Sequence, residues 1–249
     1  MTIATELKAI TADTSSAALY SEYTGIPVEI VEKCAAKFGA FNQVTWSECQ
    51  GATFCDKAKV YYENTDEYLF DLLHGSRSKA WRKQVYQHFG HWKWMTSIGP
   101  DVIEFGGGLG LTCSLLRDEG RRVTYCDVDG PAAKFARWYF ERTGQRDIEI
   151  LHTPSSELVL PEGRQWDLVF SDSVIEHVPD PAATVERLAR ALKPGGLMYL
   201  IIDAHDVGPA FPMHQHVHLK DLLAGSPTLR SLAHVHHDGD VVNAFRRMG

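Results

Sequence analysis

From Val102 to Gly110 the chain reads Val-Ile-Glu-Phe-Gly-Gly-Gly-Leu-Gly, and no other stretch narrows the fold as much. The apolar run at its start predicts a short buried strand. Glycines at 106, 107, 108 and 110 predict a turn that takes up positive φ and lets backbone approach a ligand closely. Leu111 to Glu119 then reads as a helix closed by Gly120, so the unpaired N–H groups of its first turn face the same point. A purely structural turn also uses glycine. The loop gains meaning only from the strands and helices that come after it.

Strands and helices alternate from there on. Arg122 to Asp127 is a predicted strand, Pro131 to Thr143 a helix opened by proline and stopped by Gly144, and Ile148 to His152 a third strand. Asp167 to Ser171 is the fourth strand. A helix from Pro181 to Leu192, capped by Asp180, ends at Lys193-Pro-Gly-Gly196, and Leu197 to Asp203 is the fifth strand. Strands that read as continuous apolar runs between helices predict a parallel sheet covered on both faces. Leu229 to His236 and Val241 to Arg246 are instead two strands joined through Asp238-Gly239, a hairpin signal. The expected fold is α/β: a doubly wound, Rossmann-like, mostly parallel seven-stranded sheet with a terminal antiparallel hairpin. Before the break at Ile98-Gly99-Pro100 the texture is helical. Helices are predicted from Ile26 to Phe38 (capped by Thr24), from Asn64 to Leu73 and from Ser78 to Phe89. The chain thus divides into a helical N-terminal cap over residues 1–98 and a binding core over residues 99–249.

Charge and composition remove several function classes. Lys and Arg number 25 against 32 Asp and Glu, a net charge of −7, which disfavours binding to nucleic acid. The longest wholly apolar run, Leu197 to Ile202, is far short of the roughly 20 residues that span a bilayer. No basic segment followed by an apolar core opens the chain, and the five cysteines are odd in number with no CxxC pair. A cytoplasmic protein with free thiols and no metal is expected.

Two ligands suit the glycine loop. The dinucleotide fingerprint G-x-G-x-x-G/A, counted from Gly106, puts Leu111 at its third glycine position, which disfavours a pyrophosphate there. The alternative register, E-x-G-x-G-x-G, fits Glu104, Gly106, Gly108 and Gly110 together. Asp127, at the end of the second strand, is placed to accept hydrogen bonds from both hydroxyls of a ribose. Asp129 fits better as a cap for the following helix.

Several elements in order resemble class I S-adenosylmethionine-dependent methyltransferases, closest to the small-molecule group of ubiquinone and menaquinone biosynthesis type. They are the glycine loop, Asp127, the segment Trp166 to Asp180, and Leu188 to Gly196, covering roughly Asp101 to Asp203. The resemblance implies a cofactor, S-adenosyl-L-methionine, left as S-adenosyl-L-homocysteine, and methyl transfer to a small-molecule acceptor by in-line displacement. It implies that Gly106, Gly107, Gly108 and Gly110 line the methionine moiety, and that Glu104 helps hold its amino group or the loop. Asp127, beside Val128, would bind the ribose, and Ser171 would face the sulfonium. The family often carries an acid after strand three. Here the chain reads Thr153-Pro-Ser-Ser156, so Ser155 or Ser156 takes that place.

A histidine suits acceptors that must lose a proton. His177 follows strand four, where a structural role competes with a catalytic one. His214, His216 and His218 alternate in the segment after strand five, with His205 before them. In an extended chain these three share one face. They are read as acceptor contact or general base, with a plain loop and a metal site as alternatives. Tyr61, Tyr62, Trp81, Phe89, Trp92 and Trp94 of the cap could wall an apolar or aromatic acceptor, or pack the cap onto the core. A catalytically silent subunit supporting a partner protein is the alternative function, and a homodimer is left open.

Overall fold

The computed structural model describes residues 10–203, 211–218, 222, 227–237 and 240–249. Helix α1 (Ser16–Thr24) starts at Ser15, whose hydroxyl accepts the Ala18 N–H, and stops at Gly25 in the left-handed region. Thr24 therefore closes α1 instead of capping the next helix; its hydroxyl donates to the Tyr20 carbonyl. Pro27 precedes α2 (Val28–Ala35), and α3 (Asn42–Glu48) follows. A reciprocal capping box between Thr53 and Asp56 opens α4 (Phe54–Asn64). The helix expected from Asn64 to Leu73 does not form as one piece. Thr65 turns away in extended backbone, its hydroxyl tied to the Tyr61 carbonyl, and α5 (Leu69–Gly75) starts afresh. Ser78 caps α6 (Lys79–His88), and the short α7 (His91–Met95) completes the helices before the first strand.

The sheet section then runs β1 (Asp101–Phe105), α8 (Leu111–Asp118), β2 (Arg122–Asp127), α9 (Pro131–Arg142) and β3 (Glu149–His152). β4 (Trp166–Asp172), a single 3-10 turn at Ile175–His177, α10 (Pro181–Arg190) and β5 (Leu192–Asp203) follow. β6 (Leu229–His237) and β7 (Asp240–Arg247) end the chain. The strand order is β3-β2-β1-β4-β5-β7-β6 in one seven-stranded sheet. The first five strands pair in parallel, while β7 pairs antiparallel with both β5 and β6. β5 begins earlier than its apolar run suggests. Leu192 already pairs with Trp166, the next four residues bulge out, and pairing resumes with Leu197 opposite Leu168.

From β1 the chain winds outward to β2 and β3, then returns to add β4 and β5 on the other side. Between the carboxyl ends of β1 and β4 such a sheet leaves a crevice. The cap closes over it. One apolar cluster joins Leu19, Tyr20 and Leu69 of the cap to Phe135, Tyr139 and Phe140 of α9, and the Tyr20 and Phe135 rings lie 5.8 Å apart. A second cluster, with Ile103, Val169, Leu188 and Met198, fills the opposite face of the sheet. Among the described residues no helix is long and apolar enough to cross a membrane.

Candidate active site

A cavity of about 330 Å³ occupies the crevice, walled by the glycine loop, the turns after β2 to β5, and α4 and α5 of the cap. Gly106, Gly108 and Gly110 all have positive φ, at 74°, 52° and 75°. A Cβ at Gly106 would lie 2.2 Å from the Val174 side chain, and one at Gly110 2.6 Å from Phe140, so packing alone excludes other residues there. Gly107 meets Tyr125 in the same way, at 2.4 Å. Gly108 differs. Its nearest neighbour in that direction is Leu72 of α5 at 3.4 Å, an ordinary contact, and it faces the cavity together with Gly106 and Gly107. Gly110 serves as the first cap of α8 and does not line the cavity.

Asp127 ends β2 beside this loop. Its Oδ2 accepts the Gly108 N–H at 2.8 Å and its Oδ1 the Val128 N–H at 2.8 Å, while the Tyr125 hydroxyl approaches at 3.3 Å. Burial raises the carboxyl above its ordinary pKa, and the two amides and the phenol hold it down against that rise. Asp127 and Val128 line the cavity. Thr153, Pro154 and Ser155 line it after β3, and the Ser155 hydroxyl donates to Glu63 Oε1 at 2.8 Å. Glu157 of the same loop also lines the cavity, and helix α4 adds a second acid, Glu63, behind Ser155. Ser156 is exposed and lies off the cavity. Ser171 needs correction too: it is fully buried, donates to the Phe105 carbonyl at 3.0 Å, and is turned into the sheet rather than the cavity.

Below the glycine loop sits a polar cluster that, Glu104 aside, sequence reasoning misses. Arg82 of α6 pairs with Asp172 at 2.8 Å and donates to Ser76 and Thr112. The Tyr86 hydroxyl donates to the same Asp172 oxygen at 2.8 Å. Glu104 is buried against them and accepts from the Cys113 thiol at 2.9 Å; burial pushes its pKa up to about 7. Arg82, Glu104, Thr112 and Asp172 all line the cavity.

Across from the loop stands His177. Its Nδ1 lies 2.8 Å from the Tyr62 hydroxyl, and its ring centroid 4.5 Å from that of His214 in a T-shaped contact. Burial, with His214 adding to it, pushes the His177 pKa well below its ordinary value, so the imidazole is neutral at physiological pH. Burial also holds the Tyr62 phenol well above its own. The remaining histidines do not share a face. His214 is buried and lines the cavity, whereas His216 and His218 are exposed and away from it, because residues 214–218 form no strand that would enforce alternation. His205 lies outside the described residues. Among those described, no group of three or more His, Cys, Asp or Glu is placed to hold a metal ion.

Of the cap aromatics, Tyr61 and Tyr62 line the cavity. Trp81, Trp92 and Trp94 do not, which corrects their reading as acceptor walls. Trp81 packs under Arg77, Trp92 under Lys83, and Trp94 stacks on Tyr199. Phe38, Asn42, Asp71 and Phe211 take their place.

Glu176 ties the segments after β4 and β5 together. Its Oε1 accepts the Asp203 N–H at 2.8 Å and its carbonyl accepts the Gln215 N–H at 2.8 Å. Its other oxygen, Oε2, is buried and has no hydrogen-bond partner among the described residues. Burial raises its pKa from 4.5 to about 8. The native state therefore keeps a proton that the unfolded chain loses, and stability should fall as pH rises from about 4.5 to about 8. Glu176→Gln keeps the acceptor for Asp203 and removes this titration. Melting curves should show the variant gaining on the wild type as pH rises from 5 to 9; parallel curves for the two proteins would mean that Glu176 is already ionised in the fold.

The methyltransferase domain family matches residues 103–200. A ubiquinone biosynthesis O-methyltransferase from Aromatoleum aromaticum is 31% identical over 101 residues, which are 41% of this chain and 43% of that protein. The enzyme of the same name from Idiomarina loihiensis is 34% identical over 102 residues, 41% of this chain and 42% of its own length. The chain thus aligns with less than half the length of these curated relatives. In fold, an S-adenosylmethionine-dependent methyltransferase from Clostridium acetobutylicum superposes over 67% of this chain and 92% of its own, with a TM-score of 0.55 at 11% identity. The N-methyltransferase NodS from Bradyrhizobium japonicum, solved with S-adenosyl-L-homocysteine, covers 66% of this chain and 87% of its own with a TM-score of 0.51 at 17% identity. The strand order and the glycine turn agree with both findings: residues 103–200 match the methyltransferase domain family, in a fold shared with S-adenosylmethionine-dependent methyltransferases of known structure.

Proposed function

We propose that this chain transfers a methyl group from S-adenosyl-L-methionine to a small apolar or aromatic acceptor. The observation that carries the reading is the junction of Gly108 and Asp127, where a left-handed glycine amide and a half-buried carboxylate meet on the cavity wall. That junction fits the cofactor: each Asp127 oxygen has lone pairs left for a ribose hydroxyl, and Gly108 leaves open the space beside its backbone. Gly106 and Gly107 would flank the methionine moiety, Val128 and Ser155 the adenosine half. Arg82 is the one fixed cation lining the cavity among the described residues, and it would face the cofactor carboxylate.

When bound, the cofactor supplies a methyl on a positive sulfur, already activated for displacement. The chain has then to align the acceptor and exclude water. Tyr61, Tyr62, Phe38 and Phe211 provide apolar faces for a planar acceptor, and α4 and α5 cover the crevice. His177, neutral through burial, can take the acceptor's proton. If Nδ1–H donates to the Tyr62 oxygen, Nε2 carries the free lone pair, and His214 packs the ring in place. The relatives named for ubiquinone biosynthesis support a small aromatic acceptor.

Asp127→Ala tests the cofactor half. Hydrogen bonds to a charged group contribute about 1.5–3 kcal/mol, so S-adenosylhomocysteine should bind roughly ten- to hundred-fold more weakly to a variant that stays folded. Calorimetric titration measures this directly; unchanged affinity removes Asp127 from the site.

A further inference from the structure

Asp71 of α5 is the one carboxylate of the cap that lines the cavity among the described residues. Its Oδ1 accepts the Gly39 N–H at 3.0 Å and its Oδ2 accepts from the Asn42 amide at 2.5 Å. The Tyr61 hydroxyl, in turn, donates to the Asn42 carbonyl oxygen at 2.7 Å, so the amide is oriented and its N–H is committed to Asp71. No Lys or Arg reaches Asp71 among the described residues, whereas Asp172, on the wall of the same cavity, has Arg82. The nearest cationic candidate is His74, one turn further along α5, which stacks on Phe38 at 4.9 Å. Burial raises the Asp71 pKa, which the two donors and His74 oppose.

The place of Asp71 in the cavity matters as much as its charge. It lies on the cap side, reached from His177 by way of Tyr62, Tyr61 and Asn42, each touching the next. Phe38 and Phe211 close the other side of the same space, 5.4 Å apart. An acceptor lying between the Phe38–Phe211 pair and the Tyr61–Tyr62 side of the cavity, with its reacting atom toward His177, would point its far end at Asp71. Isolated buried charges are costly unless paired. A ligand that supplies the missing cation relieves that cost.

We propose that Asp71 is an acceptor-recognition site for a cationic group, a protonated amine carried on the end of the acceptor remote from the atom that is methylated. The inference rests on the methyltransferase reading for its orientation, but not for the binding itself. Asp71 selects, and His177 and the cofactor act at the opposite end. Anionic acceptors are rejected, because Asp71 and the other carboxylates of the cavity repel them.

Three ligands of one shape and different charge test it: tyramine, 4-ethylphenol and 4-hydroxyphenylacetate, titrated calorimetrically into the wild type with and without saturating S-adenosylhomocysteine. Tyramine should bind at least ten-fold more tightly than 4-ethylphenol, and 4-hydroxyphenylacetate most weakly. In Asp71→Asn the preference of tyramine over 4-ethylphenol should shrink to two- or three-fold, with affinity for S-adenosylhomocysteine and the melting temperature close to wild type. A merely structural Asp71 would lower all three affinities together. Equal affinities in the wild type, no binding of tyramine, or a preference that survives in Asp71→Asn overturns the proposal. Should Asp71→Asn not fold, Asp71→Ser, which also removes the charge, takes its place in the same series. If S-adenosylhomocysteine gives no heat while the tyramine preference stands, the methyltransferase reading fails and the Asp71 site does not.

Discussion

Gly108→Val is expected to lower affinity for S-adenosylhomocysteine by more than roughly 100-fold while leaving the protein folded. The position is informative because its neighbours are not. At Gly106, Gly107 and Gly110 a Cβ would sit 2.2 to 2.6 Å from Val174, Tyr125 or Phe140, so substitution there disturbs packing and would weaken any ligand indirectly. At Gly108 only Leu72 is near, at 3.4 Å, and the space beyond is cavity. Valine meets two obstacles. Left-handed backbone costs a non-glycine residue about 1–2 kcal/mol, and its branched side chain resists φ of 52° further. If the loop relaxes to relieve this, the Gly108 N–H leaves Asp127; if it does not, the two methyls occupy the space for the ligand. Gly108→Ala meets only the first obstacle and should lose about ten-fold or less. A folded Gly108→Val that binds like the wild type would falsify the placement of the cofactor against this turn.

The residues from Asp101 to Asp203 were largely legible in sequence for a physical reason. The central parallel strands β1, β4 and β5 are buried on both faces over their apolar runs, while Pro131, Gly144, Asp180 and Pro181 punctuate the helices. β3, at the sheet edge, is only partly covered. β2 matches its expected bounds, and the other strands of this section differ by a residue or two apart from the early start of β5. The cap was harder. α3 has seven residues and α7 five, too short for a helical stripe, and in α2 Ile30 is exposed although it sits in the apolar pattern. Aromatic content marked the segment before Ile98 but gave no direction: Trp92 and Trp94 turn to Lys83 and Tyr199, while Tyr61 and Tyr62, earlier in the cap, turn to the cavity.

The site divides along the same line. Glu104, Asp127 and the glycines are set by a local strand-turn-helix pattern, and so they could be named from spacing. Arg82, Asp71 and Asn42 come to the cavity from three separate helices, and only tertiary packing of the cap brings them there. Asp172 had a signal that was available: a polar residue at the carboxyl end of β4, where open α/β sheets place their ligands. Ser171, one residue earlier, points the other way because side chains alternate along a strand.

Replacing His177 by alanine should reduce turnover by roughly 10²–10⁴, the range for a lost general base, and leave S-adenosylhomocysteine affinity within a few-fold. The separation comes from placement. His177 stands on the turn after β4 and touches Tyr62 and His214, whereas the groups assigned to the cofactor lie on the turns after β1, β2 and β3 and, for Arg82, on α6. His214→Ala should have a smaller effect, because it removes a packing partner and leaves the Tyr62 bond intact. His216→Ala and His218→Ala should be close to wild type, since both side chains are exposed and off the cavity. Tyr62→Phe separates base from scaffold. It keeps the ring that packs beside His177 but removes the oxygen at 2.8 Å that selects the tautomer, so turnover should fall while acceptor affinity changes little. The pH profile adds a second reading. A histidine held well below its ordinary pKa stays a competent base into mildly acidic solution, so activity should persist below pH 6. Full turnover in His177→Ala, with both profiles superimposable, would show that the acceptor loses its proton to water or needs to lose none.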